Sequence, residues 1–143
     1  MSRARFVFIT SPIRGAADNQ PGSVAWLLVS ANNRTLGRSP HAFPDQVAGR
    51  DAVQALRSEH RRLVAAAAAS QTSVRWIWRV RLDDAVVAVS SRPYLRMREC
   101  QYNLERFLEA VGVAEISGDV RISRRGEVAP RTAELNGTVA VRT

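Results

Sequence analysis

A near-repetition runs through this chain and constrains its fold more than any other feature. Ser23-Val-Ala-Trp-Leu27 returns at an offset of 50 as Ser73-Val-Arg-Trp-Ile77. Beyond the next turn the offset becomes 51. There Leu36-Gly-Arg-Ser39 matches Val87-Ala-Val-Ser90, Phe43 matches Tyr94, Val53 matches Leu104 and Leu56 matches Phe107. The one-residue change falls in a hairpin turn, where changes of length cost least. Such a period fixes architecture before any motif does. Spacing of this kind describes a scaffold: an aromatic before each helix to lock the strand–helix corner, then two apolar positions facing the sheet.

Local patterns fill in the units. Arg5–Thr10 alternates as a strand, with Phe6 and Phe8 on one face and Val7 and Ile9 on the other. Residues 11–23 carry Pro12, Gly15, Pro21 and Gly22 and read as a loop. Val24–Ser30 is a strand apolar on both faces, so both faces should be covered, by the other unit or by a second chain. Asn32-Asn33 gives a turn, and Thr35–Arg38 is a short strand. Asp45 suits an N-cap for a helix over about 46–68, with Val53, Leu56, His60, Leu63, Val64 and Ala67 as its apolar stripe. The run Ala65–Ala69 is strong helix material.

The second unit repeats the plan. Ser73–Leu82 is a strand with Trp76, Trp78, Val80 and Leu82 on one face and Arg75, Ile77, Arg79 and Arg81 on the other. Asp83-Asp84 is its turn and Ala85–Val89 the returning strand. A helix over about 96–111 follows, with Cys100, Leu104, Phe107, Leu108 and Val111 inward and Gly112 at its end. The fold class is therefore α+β, two strand–strand–helix repeats with antiparallel hairpins, each packed against a helix. Residues 1–70 hold the first repeat with a leading strand, and 71–112 hold the second. Residues 113–143 hold a strand near Val120–Ser123 and a partly flexible tail.

These positions resemble the YegP-like repeat, a bacterial and archaeal domain of unknown function. Ala31-Asn-Asn-Arg34, Ser39, Phe43, Val53 and Leu56 carry the likeness in the first copy. The second copy fits less closely, with Asp83-Asp84 as its turn and no clear first strand of its own. Both copies depart at the helix position two before the first aliphatic. That position is often Asn in the family and is Asp51 and Tyr102 here. The resemblance covers roughly residues 24–112. It implies an α+β fold with paired units or homodimers, and it implies no reaction.

Composition is that of a globular chain, with 45% apolar and 24% charged residues. A single cysteine, Cys100, allows no internal disulfide and suits a reducing compartment. The apolar run near the N-terminus is too short for a secretory segment and no stretch suits a membrane span, so a cytoplasmic protein is expected.

Few residues suggest chemistry. His41, His60 and Cys100 are scattered, without zinc-ligand spacing, so no metal site and no cofactor are expected. Asp83-Asp84 reads as a solvated turn rather than a cation site. Ser39 lies near His41, but the second copy has no matching His. Ser39 and Ser90 are better read as residues that hydrogen-bond backbone at strand ends. Cys100 falls on an inner helix face, as a small buried hydrophobe would. No catalytic constellation is found, and a non-enzymatic binding or interaction module is expected.

The charge is the remaining signal. The net charge is +8, and all 21 basic residues are Arg. A GC-rich coding bias explains this, and so does selection for anion binding, because the guanidinium fork matches phosphate bidentately. Arg75, Arg79 and Arg81 alternate along one strand face and should project together. Arg92, Arg96 and Arg98 gather at the start of the second helix, where cations oppose the helix dipole unless an anion or Glu99 compensates. These six are the candidate contacts to nucleic acid or another polyanion. Trp76 and Trp78 point to the core, which argues against base stacking on the sheet. Tyr102 is the one aromatic off the second helix's apolar stripe.

Overall fold

Residues 3–11, 23–70, 74–122 and 138–142 are described by a computed structural model. The first unit holds β1 (Arg5–Ser11), β2 (Ser23–Val29), β3 (Thr35–Arg38) and α1 (Gln46–Ser58). The second holds β4 (Val64–Ser70), β5 (Trp76–Leu82), β6 (Ala85–Val89) and α2 (Met97–Val111). Then come β7 (Glu115–Ile122) and β8 (Thr138–Arg142). These eight strands join one mixed sheet in the order β7-β1-β2-β3-β6-β5-β4-β8. The two units thus meet along β3 and β6. β7 runs parallel to β1, and β8 pairs antiparallel with β4.

Turn chemistry fixes each hairpin. Asn33 sits at φ 66°, and Asp83 and Asp84 at 51° and 67°. Asn and Asp tolerate this left-handed backbone better than other non-glycine residues, and the right-twisted hairpin needs it. At the far end of each hairpin a serine closes the same ring of bonds. The Trp26 N–H donates to Ser39 Oγ at 3.2 Å, and the Ser39 N–H donates back to the Trp26 carbonyl. The Trp78 N–H donates to Ser90 Oγ at 3.3 Å, and the Ser90 N–H donates to the Trp78 carbonyl. Phe43 bridges to Val24 as Tyr94 bridges to Trp76.

These bonds correct the register read from the sequence. Trp26 corresponds to Trp78, not Trp76, so the offset before the hairpin is 52 and not 50. The second hairpin is therefore the shorter: 12 residues separate Trp78 from Ser90, against 13 from Trp26 to Ser39. Both offsets are even, so the assignment of residues to sheet faces survives the correction.

A larger correction concerns the first helix. It does not run to 68: α1 ends at Ser58, a 3-10 turn spans His60–Arg62, and Leu63 is already extended. Ala65–Ala69 lies in β4, which pairs antiparallel with β5 and supplies the first strand that the sequence did not reveal for the second unit. The reason is steric. Ala67 stands opposite Trp78 and Ala69 opposite Trp76, so small side chains leave room for two indoles. Packing overrides the helix preference of alanine. The unit boundary moves with it, and β4 belongs with residues 76–111.

Other expectations stand closer to the structure. β1, β2, β3, β6 and α2 lie within a residue or two of the readings, and Asp45 Oδ1 accepts from the Ala48 N–H at 2.8 Å as the α1 cap. The strand placed near 120–123 begins earlier, at Glu115, and the tail contributes Thr138–Arg142 to the sheet. The loop expected over 11–23 falls, for 12–22, outside the described residues, as does the tail over 123–137.

Both helices cover the same sheet face. Phe6, Phe8, Trp26 and Leu28 share one core with Trp78, Val80 and Ala67, and Val53, Leu56, Leu104, Phe107 and Val111 close it from the helices. Phe107 joins the units: its ring lies 4.8 Å from Trp78 and 6.5 Å from Trp26. Gly37 makes that contact fit. A Cβ there would come within 2.6 Å of Phe107 and 2.7 Å of Trp78. Gly37→Ala is accordingly expected to destabilise by about 1–3 kcal/mol. A urea titration checks this, and an unchanged midpoint would contradict it.

On the other face, Val7, Ile9, Ala25, Val29, Ala68 and Val89 are also buried. The doubly apolar β2 is thus largely buried on both faces, with Leu27 half-buried.

Candidate functional site

The six candidate arginines fall into two groups. Arg79 and Arg81 lie on β5, on the sheet face away from the helices, because Trp78 and Val80, which alternate with them, enter the core. Cross-strand register adds a residue that sequence reasoning missed. Arg38 stands opposite Val89, and Val89 stands opposite Arg79. Arg38 and Arg79 therefore flank one valine where the two units meet, and both are half-buried. Burial holds the Arg79 guanidinium below its ordinary value, and the charge of Arg81 adds to the effect. The only signal for Arg38 was its strand parity, which could not be used without knowing that β3 pairs with β6.

The second group sits at the start of β5. The bridge between Trp76 and Tyr94 brings the segment before α2 alongside that strand end. Arg75, Arg92, Arg96 and Arg98 are thus carried to one end of the sheet, all exposed. Arg81 is six residues from Arg75, about 20 Å along an extended strand. The expected stripe is divided, and Arg75 belongs with the helix-start cluster.

Local structure explains the arrangement at α2. Arg96 occupies the N-cap position in extended backbone and makes no side-chain cap, whereas Asp45 caps α1. Glu99 is the acidic residue of the first turn. The Arg92 guanidinium lies over the Tyr94 ring at 5.2 Å. Burial pushes the Tyr94 phenol up, against the opposing pull of Arg92 and Ser91. Ion pairs join Arg62 to Glu59 and to Asp83, and Arg106 to Glu109. Arg75, Arg81, Arg96 and Arg98 take part in none of these.

The residues with catalytic potential are engaged separately. Ser39 is fully buried and occupied by the Trp26 N–H. The His41 ring leans on Phe43 at 4.7 Å, and its Nδ1 lies 3.1 Å from the Ala42 carbonyl. His60 packs over Gly112 and approaches the Arg57 carbonyl through Nδ1 at 2.8 Å. Among the described residues no three His, Cys, Asp or Glu gather as metal ligands. No described helix is long and apolar enough to cross a membrane.

Cys100 is buried, and burial pushes its thiol up to about 12 from 9.0. The native thiol keeps its proton to higher pH than the unfolded chain, so stability should fall as pH climbs from about 9 toward 12. Urea midpoints across this range, compared with Cys100→Ala, check the sign. A midpoint that rises with pH through Cys100 would contradict it.

Asn103 is a second residue the sequence did not flag: its Oδ1 accepts from Trp78 Nε1 at 2.6 Å. It sits one position before the aliphatic Leu104, where α1 has Ala52.

The sheet order, the paired hairpins and the two helices on one face make this a YegP-like α+β fold. Two solved structures similar to this chain share it. The protein of unknown function yegP from E. coli superposes with a TM-score of 0.58 at 13% identity, covering 86% of this chain and 95% of its own. A UPF0339 protein from Shewanella oneidensis gives 0.55 at 7% identity, covering 82% and 90%. At such identities the likeness is one of fold. No family model and no curated protein matches the sequence.

Proposed function

We propose that the chain is a small non-enzymatic binding module and that its partner is a polyanion, nucleic acid in the first place. One observation carries this reading: Arg75, Arg92, Arg96 and Arg98 are exposed together at one end of the sheet, and the ion pairs named above lie elsewhere. Cations gathered at one end of the sheet repel one another, and a phosphate backbone would relieve that repulsion. The uncapped N-terminus of α2 adds its partial positive charge to the same end. Arg38, Arg79 and Arg81 extend the basic character along the sheet face.

Arginine suits this task, because its fork holds phosphate in two directions at once. The overall charge of +8 favours encounter with any polyanion. Fluorescence anisotropy with labelled DNA and RNA, at low and moderate salt, tests the reading. Binding at low salt that weakens steeply with added salt is expected, since bound counterions are released. No binding at low salt would remove the proposal.

A further inference from the structure

We infer that Tyr102 is a base-stacking platform, so that this module prefers single-stranded nucleic acid to duplex; the inference rests on the polyanion reading above. Tyr102 lies on α2 but outside its buried stripe, and its residue is 61% exposed. A solvated tyrosine on a helix needs no ligand in itself. Here, however, the ring has a cationic neighbour. The Arg106 guanidinium lies over it at 5.4 Å, and Arg106 is in turn fixed by Glu109 at 2.6 Å. One ring face is thus backed by a cation, and the exposed remainder is left as a flat, oriented surface.

The surroundings suit a strand whose bases are unpaired. Side chains on a helix lean toward its N-terminus, so Tyr102 leans toward Arg98, one turn earlier. Leu95, 63% exposed, lies just before the helix and offers a second apolar contact. A nucleotide seated on Tyr102 would place a phosphate toward Arg98. Glu99 and Glu105 flank Tyr102 at three residues on either side, so the helix face itself is not strongly basic. Binding there needs the base as well as the phosphate. In a duplex the bases are already stacked and their faces are not offered.

The first unit has no counterpart. With the offset of 51, Tyr102 corresponds to Asp51, Arg106 to Ala55 and Glu109 to Ser58. The trio belongs to α2 alone and has no part in the shared scaffold.

The test uses the intact chain with labelled oligodeoxythymidine and a labelled duplex carrying the same number of phosphates. The single strand is expected to bind about tenfold more tightly, and Tyr102→Ala should abolish that preference while leaving duplex affinity nearly unchanged. Tyr102→Phe should retain it. Circular dichroism will show whether the variants stay folded. Equal affinity for both probes, or an unaltered preference in Tyr102→Ala, would overturn the stacking inference. If Arg96→Ala and Arg98→Ala then weaken both probes alike, the polyanion reading survives without it. Binding of neither probe would overturn both.

Discussion

Phe107→Ala is expected to cost about 3–5 kcal/mol, the range for removing a buried aromatic ring from a packed core. A domain of this size is stable by only about 5–15 kcal/mol, so the variant should lose much of its margin. The effect is large because Phe107 serves both units. It stacks against Trp26 of the first hairpin and packs against Trp78 of the second, and it fills the space that Gly37 leaves open. The equivalent residue of α1, Leu56, is buried in the same core, but the aromatic contact that crosses from one unit to the other, with Trp26, belongs to Phe107. Loss of the ring should therefore uncouple the units as well as weaken them. Unfolding followed by tryptophan fluorescence and by far-ultraviolet circular dichroism would show a lowered midpoint. A variant as stable as the parent would mean that the units hold together without this contact.

Replacing Arg75, Arg92, Arg96 and Arg98 together by alanine should have the largest effect on binding. These side chains are exposed, and surface substitutions of this kind change stability little, within about 0.5 kcal/mol each. Arg92 is the partial exception, because its guanidinium covers the Tyr94 ring. Their loss would remove up to four phosphate contacts. Since proteins with about 6–10 such contacts lose about a thousandfold or more between low and moderate salt, four contacts represent a large share of the affinity. A control, Arg61→Ala, removes one exposed charge beside Arg62, which pairs with Asp83 at the other end of β5, and its effect is compared per charge removed. Comparable weakening by the control would mean that net charge, and not this cluster, governs binding.

How much was legible in the sequence follows from what each signal measures. Alternation and turn residues report the local backbone, so β1, β2, the hairpin turns and the inward stripe of α2 could be read directly. The pairing of Ser39 and Ser90 with backbone followed from their place at strand ends. Alanine carries almost no pattern, and Ala65–Ala69 became a strand because two tryptophans on β5 require small partners across the ladder. Misplacing that strand also hid the true register, in which Trp26 matches Trp78. At the site, strand parity correctly separated Arg79 and Arg81 from the core, but it could not tell that Arg75 joins the helix start instead. That depends on the bridge between Trp76 and Tyr94. Arg38 required the meeting of β3 with β6, a contact between distant parts of the chain. Asn103 required the position of the Trp78 indole.

The most direct test of the central claim is the dependence of single-strand affinity on salt, measured for the parent chain and for the variant lacking Arg75, Arg92, Arg96 and Arg98. If these arginines hold phosphates, the slope of log affinity against log salt should be shallower in the variant by about 3, since each contact to a single strand contributes about 0.7. The same slope in both proteins would contradict the account, because it would place the phosphates elsewhere on the molecule.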